Sequence, residues 1–202
     1  MGMIALVDSG IGNLRSVEKA LTTVGAEVVR TSDPQVVLDA EKVVLPGVGA
    51  FGDGMAGLES RGLIDPIKTV VTRGTPLLGI CVGMQVFFEE SEEHGRHAGL
   101  GFLPGTVKRF ETPGLTVPQT GWNQVKPCRE NPLLAGLPNG VYAYFNHSYY
   151  CDAKPDDMLG ETEYGVGYCS VTGRGSLYGV QFHPEKSQRV GLTILKNFVE
   201  KC

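Results

Sequence analysis

The run Pro76-Leu77-Leu78-Gly79-Ile80-Cys81-Val82-Gly83-Met84-Gln85 decides how the chain is read. Pro76–Ile80 is a short, wholly apolar stretch of strand length. Val82–Glu90 resumes a helical spacing of apolar residues. A thiol therefore sits where a strand ends and a helix begins. Glycines two residues before and two after let the chain turn sharply with the thiol at the apex, the arrangement of a nucleophile elbow. A helix N-terminus adds unpaired N–H groups and a positive dipole end, both of which favour a thiolate.

Working outward, the first half keeps the same alternation. Met3–Asp8 reads as a strand. Asn13–Val24 is a helix, with Leu14, Val17, Leu21 and Val24 on one stripe and Gly25 to stop it. Glu27–Arg30 and Lys42–Leu45 are further strands. Leu58–Arg73 is mostly helical in pattern, interrupted by Gly62 and Pro66. Strands alternating with helices at this spacing imply parallel βαβ units. The second half differs. Thr106–Phe110, Gln124–Lys126, Val141–Phe145, Gly167–Val171 and Ser176–Phe182 read as strands joined by Gly, Pro and Asn turns. Only Arg189–Cys202 returns to a helical stripe, through Leu192, Leu195, Phe198 and Val199. With no repeat or linker to divide it, the chain is expected to form one α/β domain over residues 1–202, three-layered with an antiparallel extension.

Composition excludes several function classes. The chain has 202 residues, 42% of them hydrophobic, which is ample to offset ordering entropy. A net charge of −4 with 18 Lys and Arg argues against a nucleic-acid surface. No apolar run approaches the ~18–20 residues of a membrane span. Residues 1–8 lack the charged leader of a secretion signal. The five cysteines, Cys81, Cys128, Cys151, Cys169 and Cys202, are odd in number and scattered, which suits a reducing cytoplasmic compartment. No Cys-x-x-Cys pair offers a zinc site.

A thiolate nucleophile needs a base. His183 stands in Gly179-Val180-Gln181-Phe182-His183-Pro184-Glu185, at the end of an apolar strand, where α/β sheets place their sites. Glu185 is near enough to orient the imidazole, completing a triad. Chance alone produces the glycine-flanked cysteine together with His-Pro-Glu with a probability of only ~0.002, so the pair outweighs either motif taken singly. Leu45-Pro46-Gly47-Val48-Gly49 follows a strand and could supply backbone oxyanion donors. Weaker features are discounted. Asp8–Asn13 suggests a dinucleotide loop, but Arg15 occupies the place of its third glycine. His94 and His97 belong to a solvated polar loop. His147 is the rival base, but with no adjacent carboxylate it reads as a pocket wall or a hydrogen-bonded loop.

Gly79–Gln85 with His183-Pro184-Glu185 resembles the class I (triad) glutamine amidotransferases. Their fold is a mixed, mostly parallel sheet between helices, and their reaction is glutamine hydrolysis to glutamate and ammonia. Within that class, Gly12-Asn13-Leu14-Arg15-Ser16, Pro46-Gly47-Val48-Gly49, Gly121-Trp122-Asn123 and His183-Pro184-Glu185-Lys186-Ser187 resemble the glutaminase subunits of imidazole glycerol phosphate synthases. Ser9 departs from the tyrosine usual after Asp8. The resemblance implies Cys81 as nucleophile, His183 as base and Glu185 as its orienter, with no metal or organic cofactor. It implies Val48 and Cys81 N–H groups as oxyanion donors, and Gly49, Gln85, Glu93, Ser148 and Tyr149 around the substrate. Asn13, Trp122, Asn123 and Lys186 would face a partner. That partner would be a cyclase subunit of (β/α)₈ barrel type, taking ammonia through a channel to make imidazole glycerol phosphate and AICAR in histidine biosynthesis. A barrel alone needs ~250 residues, so a separate chain is implied. The alternatives are a glutaminase for another synthase (anthranilate or pyridoxal phosphate), a related cysteine hydrolase, or a non-catalytic regulatory module. Lys186 and Gly121-Trp122-Asn123 argue against the other synthases, and the complete triad argues against a regulatory module.

Overall fold

The computed structural model describes residues 2–202. The first half contains β1 (Ile4–Val7), α1 (Leu14–Thr23), β2 (Val28–Thr31), α2 (Pro34–Asp39) and β3 (Lys42–Gly47). Next come α3 (Phe51–Ser60), α4 (Ile64–Thr72), β4 (Leu77–Cys81) and α5 (Val82–Gln85). The second half runs β5 (Phe88–Ser91), β6 (His97–Ala98), β7 (Leu103–Arg109), β8 (Gln119–Pro127), β9 (Val141–His147) and β10 (Tyr149–Ala153). It closes with β11 (Met158–Glu163), β12 (Gly167–Arg174), β13 (Leu177–Val180) and α6 (Gln188–Lys201).

The central sheet follows the order β2-β1-β3-β4-β13, all parallel. Every residue of β1 and β4 is buried, as expected of strands covered on both faces. Helices α1 and α6 touch each other on one face, and α2 touches α4 on the other. Opposite faces follow from right-handed crossovers: the chain steps from β1 outward to β2, then back across to β3 and β4. Beyond β13 the pairing becomes antiparallel through β12, β10 and β7, with β5 and β6 at the far edge. The β8–β9 ribbon hangs from this extension through β11.

Three expectations need correction. The helical reading of Val82–Glu90 holds only as far as Gln85; Phe88–Ser91 is a strand, paired in parallel with β7. Val86, Phe87 and Phe88 are all buried, so periodicity alone could not separate helix from strand. The backbone of Leu100, Phe102 and Leu103 returns to bond Val86 and Phe87, and that tertiary pairing ends the helix. The helical stretch Leu58–Arg73 is two helices. Gly62, at φ 65°, breaks them, whereas Pro66 lies in the first turn of α4, where its missing N–H is not needed. Lastly, the antiparallel half holds more strand than the turn signals revealed: β8 spans nine residues, and β5, β6, β10 and β11 are additional.

Candidate active site

The C-terminal ends of β3, β4 and β13 lie side by side, with Gly47 opposite Cys81 and Val180 opposite Ile80. Cys81 ends β4 at φ 54° and ψ −111°, a left-handed region that a non-glycine residue enters only under strain. The flanking glycines are required by close approach. A Cβ on Gly83 would stand 1.8 Å from the Leu45 carbonyl oxygen, and one on Gly79 would stand 2.5 Å from the Gly83 carbonyl. The elbow is therefore pressed against β3, and its side chain is forced to the apex.

A cleft of about 100 Å³ opens over this point. Val48, Gly49, Cys81, Gln85, Glu93, Ser148, Tyr149, His183 and Lys186, all singled out in the sequence, line it together with Val82, Asn146 and His147. His183 follows β13 and is held by its own N–H to the Tyr144 carbonyl at 2.9 Å. Its Nδ1 lies 2.9 Å from Glu185 Oε1, and both side chains are almost wholly buried. Burial disfavours a charged ring. Hydrogen bonds to Cys81 and Glu185, and the charges of both, outweigh it and raise His183 to about 10. The ring is thus held by the carboxylate and faces the same cleft as the thiol.

His147 is close but differently placed. Its Nδ1 stands 2.7 Å from the Tyr149 carbonyl, and its Nε2 stands 3.3 Å from the Tyr168 hydroxyl. Burial pushes it down to about 4, helped by the charge of His183 and opposed by the Tyr149 carbonyl. A neutral, hydrogen-bonded wall residue is what the sequence suggested. Gln85 directs both amide hydrogens inward, to the Tyr149 carbonyl at 3.0 Å and to Gln181 Oε1 at 3.1 Å. Glu93 Oε2 accepts the Phe51 N–H at the start of α3, at 2.7 Å.

The remaining residues lie outside the cleft. Asn13 is exposed at the N-terminus of α1. Trp122 is exposed on β8, edge-on to Tyr144, and Tyr144 in turn carries Lys186 Nζ 5.6 Å from its ring centre. Tyr144 had no sequence signal beyond its place in a strand. The Asn123 side chain is engaged internally, donating to the Glu163 carbonyl and accepting from the Gln124 N–H. His94 and His97 border a separate surface hollow with Asp53 and Glu59. Among the described residues, no group of three or more His, Cys, Asp or Glu could hold a metal ion, and no helix is long and apolar enough to cross a membrane.

Two residues of the site were missed. Val82 follows the thiol as the first residue of α5, where an N–H has no intrahelical acceptor. The signal was its position after the nucleophile, where elbows carry an oxyanion donor. Gln181 donates to Cys81 Sγ at 3.6 Å and is wholly buried. Its signal was an amide inside an apolar strand run, two residues before His183.

Residues 5–202 match the family model described as glutamine amidotransferase class-I. The imidazole glycerol phosphate synthase subunit HisH of Moorella thermoacetica is 51% identical over 99% of this chain and 95% of its own length. That of Salinibacter ruber is 51% identical over 97% of this chain and 93% of its own. Among solved structures, PurLQS from Thermotoga maritima superposes with a TM-score of 0.77 at 18% identity, covering 98% of both chains. The glutaminase domain of Trypanosoma brucei CTPS does so at 0.68 and 15% identity, over 100% of this chain and 95% of that one. At such identities the structures speak for the fold alone. The chain belongs to the class I glutamine amidotransferases, in the family of the imidazole glycerol phosphate synthase HisH subunits.

Proposed function

We propose that the chain hydrolyses glutamine to glutamate and ammonia as the glutaminase subunit of an imidazole glycerol phosphate synthase. The observation that carries this reading is the buried His183–Glu185 pair beside a strained Cys81 elbow in one small cleft. Cys81 Sγ attacks the side-chain carbonyl carbon of glutamine. Negative charge develops on the carbonyl oxygen, and backbone N–H groups of Val48 and Val82 receive it. The register that sets Gly47 against Cys81 supports this pairing of donors. Val82 replaces the Cys81 N–H expected from the sequence, because an elbow turns the following residue's N–H toward the reacting centre.

His183, carrying the proton it took from the Cys81 thiol, gives it to the departing nitrogen. Ammonia leaves, and a γ-glutamyl thioester remains on Cys81. The now neutral His183 takes a proton from water, which attacks the thioester and releases glutamate and the thiol. Glu185 stabilises the imidazolium and fixes its orientation. With both amide hydrogens committed, Gln85 offers only its oxygen to the cleft, to a donor on the substrate. Glu93, capped at one oxygen by Phe51, leaves the other for the substrate ammonium. Gly49, Ser148 and Tyr149 form the remaining walls.

The ammonia passes to a cyclase subunit of (β/α)₈ barrel type, which docks over the cleft mouth. The exposed Trp122 and Lys186, with the half-buried Tyr144 between them, support that face, and the exposed Asn13 is expected at its margin. Asn123 acts there by holding β8 in place. Sequence identity of about one half with HisH subunits over nearly the whole chain favours this synthase over anthranilate or pyridoxal phosphate types. The test is glutamate release by the chain with and without a barrel cyclase, alongside labelling by a chloroketone analogue of glutamine. Labelling confined to Cys81 supports the reading; labelling of Cys128 or Cys169 overturns it.

A further inference from the structure

The buried amide of Gln181 lies between the nucleophile and the wall of the cleft. Its nitrogen is 3.6 Å from Cys81 Sγ, and its oxygen accepts from Gln85 Nε2 at 3.1 Å. Gln85 Nε2 also donates to the Tyr149 carbonyl at 3.0 Å. A primary amide can be turned end for end at little cost in shape. A backbone carbonyl cannot, and it only accepts. The Tyr149 oxygen therefore obliges Gln85 to present its NH₂ group inward. Both Gln85 hydrogens are then committed, and the second obliges Gln181 to present its oxygen. The remaining end of Gln181, a donor, is left facing sulfur. His147 Nδ1 closes on the same Tyr149 oxygen at 2.7 Å, so both lone pairs of that anchor are filled.

We propose that Gln181 is a positioning residue for the Cys81 nucleophile, its amide N–H donating to sulfur and its orientation locked through Gln85 by the Tyr149 carbonyl. The inference rests on the reading that Cys81 attacks glutamine. Neutral sulfur is a weak acceptor, so this N–H gains most when the sulfur is negative. Gln181 is wholly buried, so bulk water does not serve that N–H instead. The donor holds Sγ against β13, on the side from which His183 also approaches. It also ties the nucleophile to the Ser148–Tyr149 wall, so that a shift of the wall turns the donor.

The experiment measures iodoacetamide alkylation of Cys81 against pH in the full chain, with the site read by peptide mapping and glutamine hydrolysis measured in parallel. The titratable neighbours facing the thiol are His183, with Glu185 behind it, and Cys151. Glu93 and Lys186 line the same cleft. Gln181→Met keeps the volume and loses the donor. Its alkylation profile is expected to move up by about one pH unit, with alkylation at pH 7 about tenfold slower. Turnover should fall in proportion while KM stays nearly constant. Gln181→Leu also removes the donor and adds no titratable group; its profile should move about as far. It decides the matter if the Met variant does not fold. Unshifted profiles in the folded variants overturn the role of Gln181. Failure of the wild-type chain assembled with a barrel cyclase to hydrolyse glutamine, or hydrolysis that survives Cys81→Ser, would instead overturn the reading beneath it.

Discussion

Acid should destabilise this protein through His147, and the size of the effect can be worked out. The imidazole is buried and lowered from the ordinary 6.5 to about 4. A lowered base is neutral in the folded chain while the unfolded chain takes up a proton. Stability therefore rises with pH across this window and is lost as pH falls from about 6.5 toward 4. Each pH unit crossed in that window removes at most about 1.4 kcal/mol, so the loss by pH 4 is about 3 kcal/mol. His147→Asn retains a donor for the Tyr149 carbonyl and removes the titrating ring. Urea unfolding at pH 7 and pH 4 gives a stability difference for each protein. Carboxylates and His183 contribute to both differences and largely cancel between them. The wild-type difference should exceed that of the variant by about 3 kcal/mol. An excess below about 1 kcal/mol would refute the claim that burial holds His147 neutral, and would reopen it as a base.

Other outcomes follow from the same geometry. Cys81→Ser should abolish glutamine hydrolysis and leave the unfolding midpoint nearly unchanged, because a hydroxyl is a far poorer nucleophile than a thiolate; steady-state glutamate release and thermal unfolding check this. His183→Ala should cost more turnover than Glu185→Gln, since one carries the proton and the other orients the carrier; equal losses in kcat would contradict the assignment. Gly83→Ala places a Cβ 1.8 Å from the Leu45 carbonyl, so it should lower stability by roughly 1–3 kcal/mol or more and displace the elbow. Gly49→Ala meets no atom within 4 Å, and its cost should be the backbone strain of φ 99° alone; paired denaturation curves separate the two.

The parts of the site that were legible in the sequence are local in the chain. Gly79, Cys81 and Gly83 are two residues apart, and their meaning depends only on the turn they make. His183 and Glu185 flank one proline. The parallel half was legible because its buried strands and striped helices each announce themselves. What was not legible depends on distant partners. Gln181 reads as an oddity in an apolar strand until the Tyr149 carbonyl arrives from β10 to orient it through Gln85. Phe88–Ser91 becomes a strand only because β7 pairs with it. Asn123 looked like a contact for a partner, yet both ends of its amide are engaged by β8 and β11, and no local pattern reveals that.

Trapping the covalent intermediate bears most directly on the central claim. The chain, assembled with its cyclase, would be mixed with glutamine, quenched in acid within a turnover, and digested for mass spectrometry. A γ-glutamyl thioester on the peptide containing Cys81, absent from Cys81→Ser and decaying at the rate of glutamate release, is the predicted result. Glutamate released with no adduct on Cys81, or an adduct on another cysteine, would contradict it.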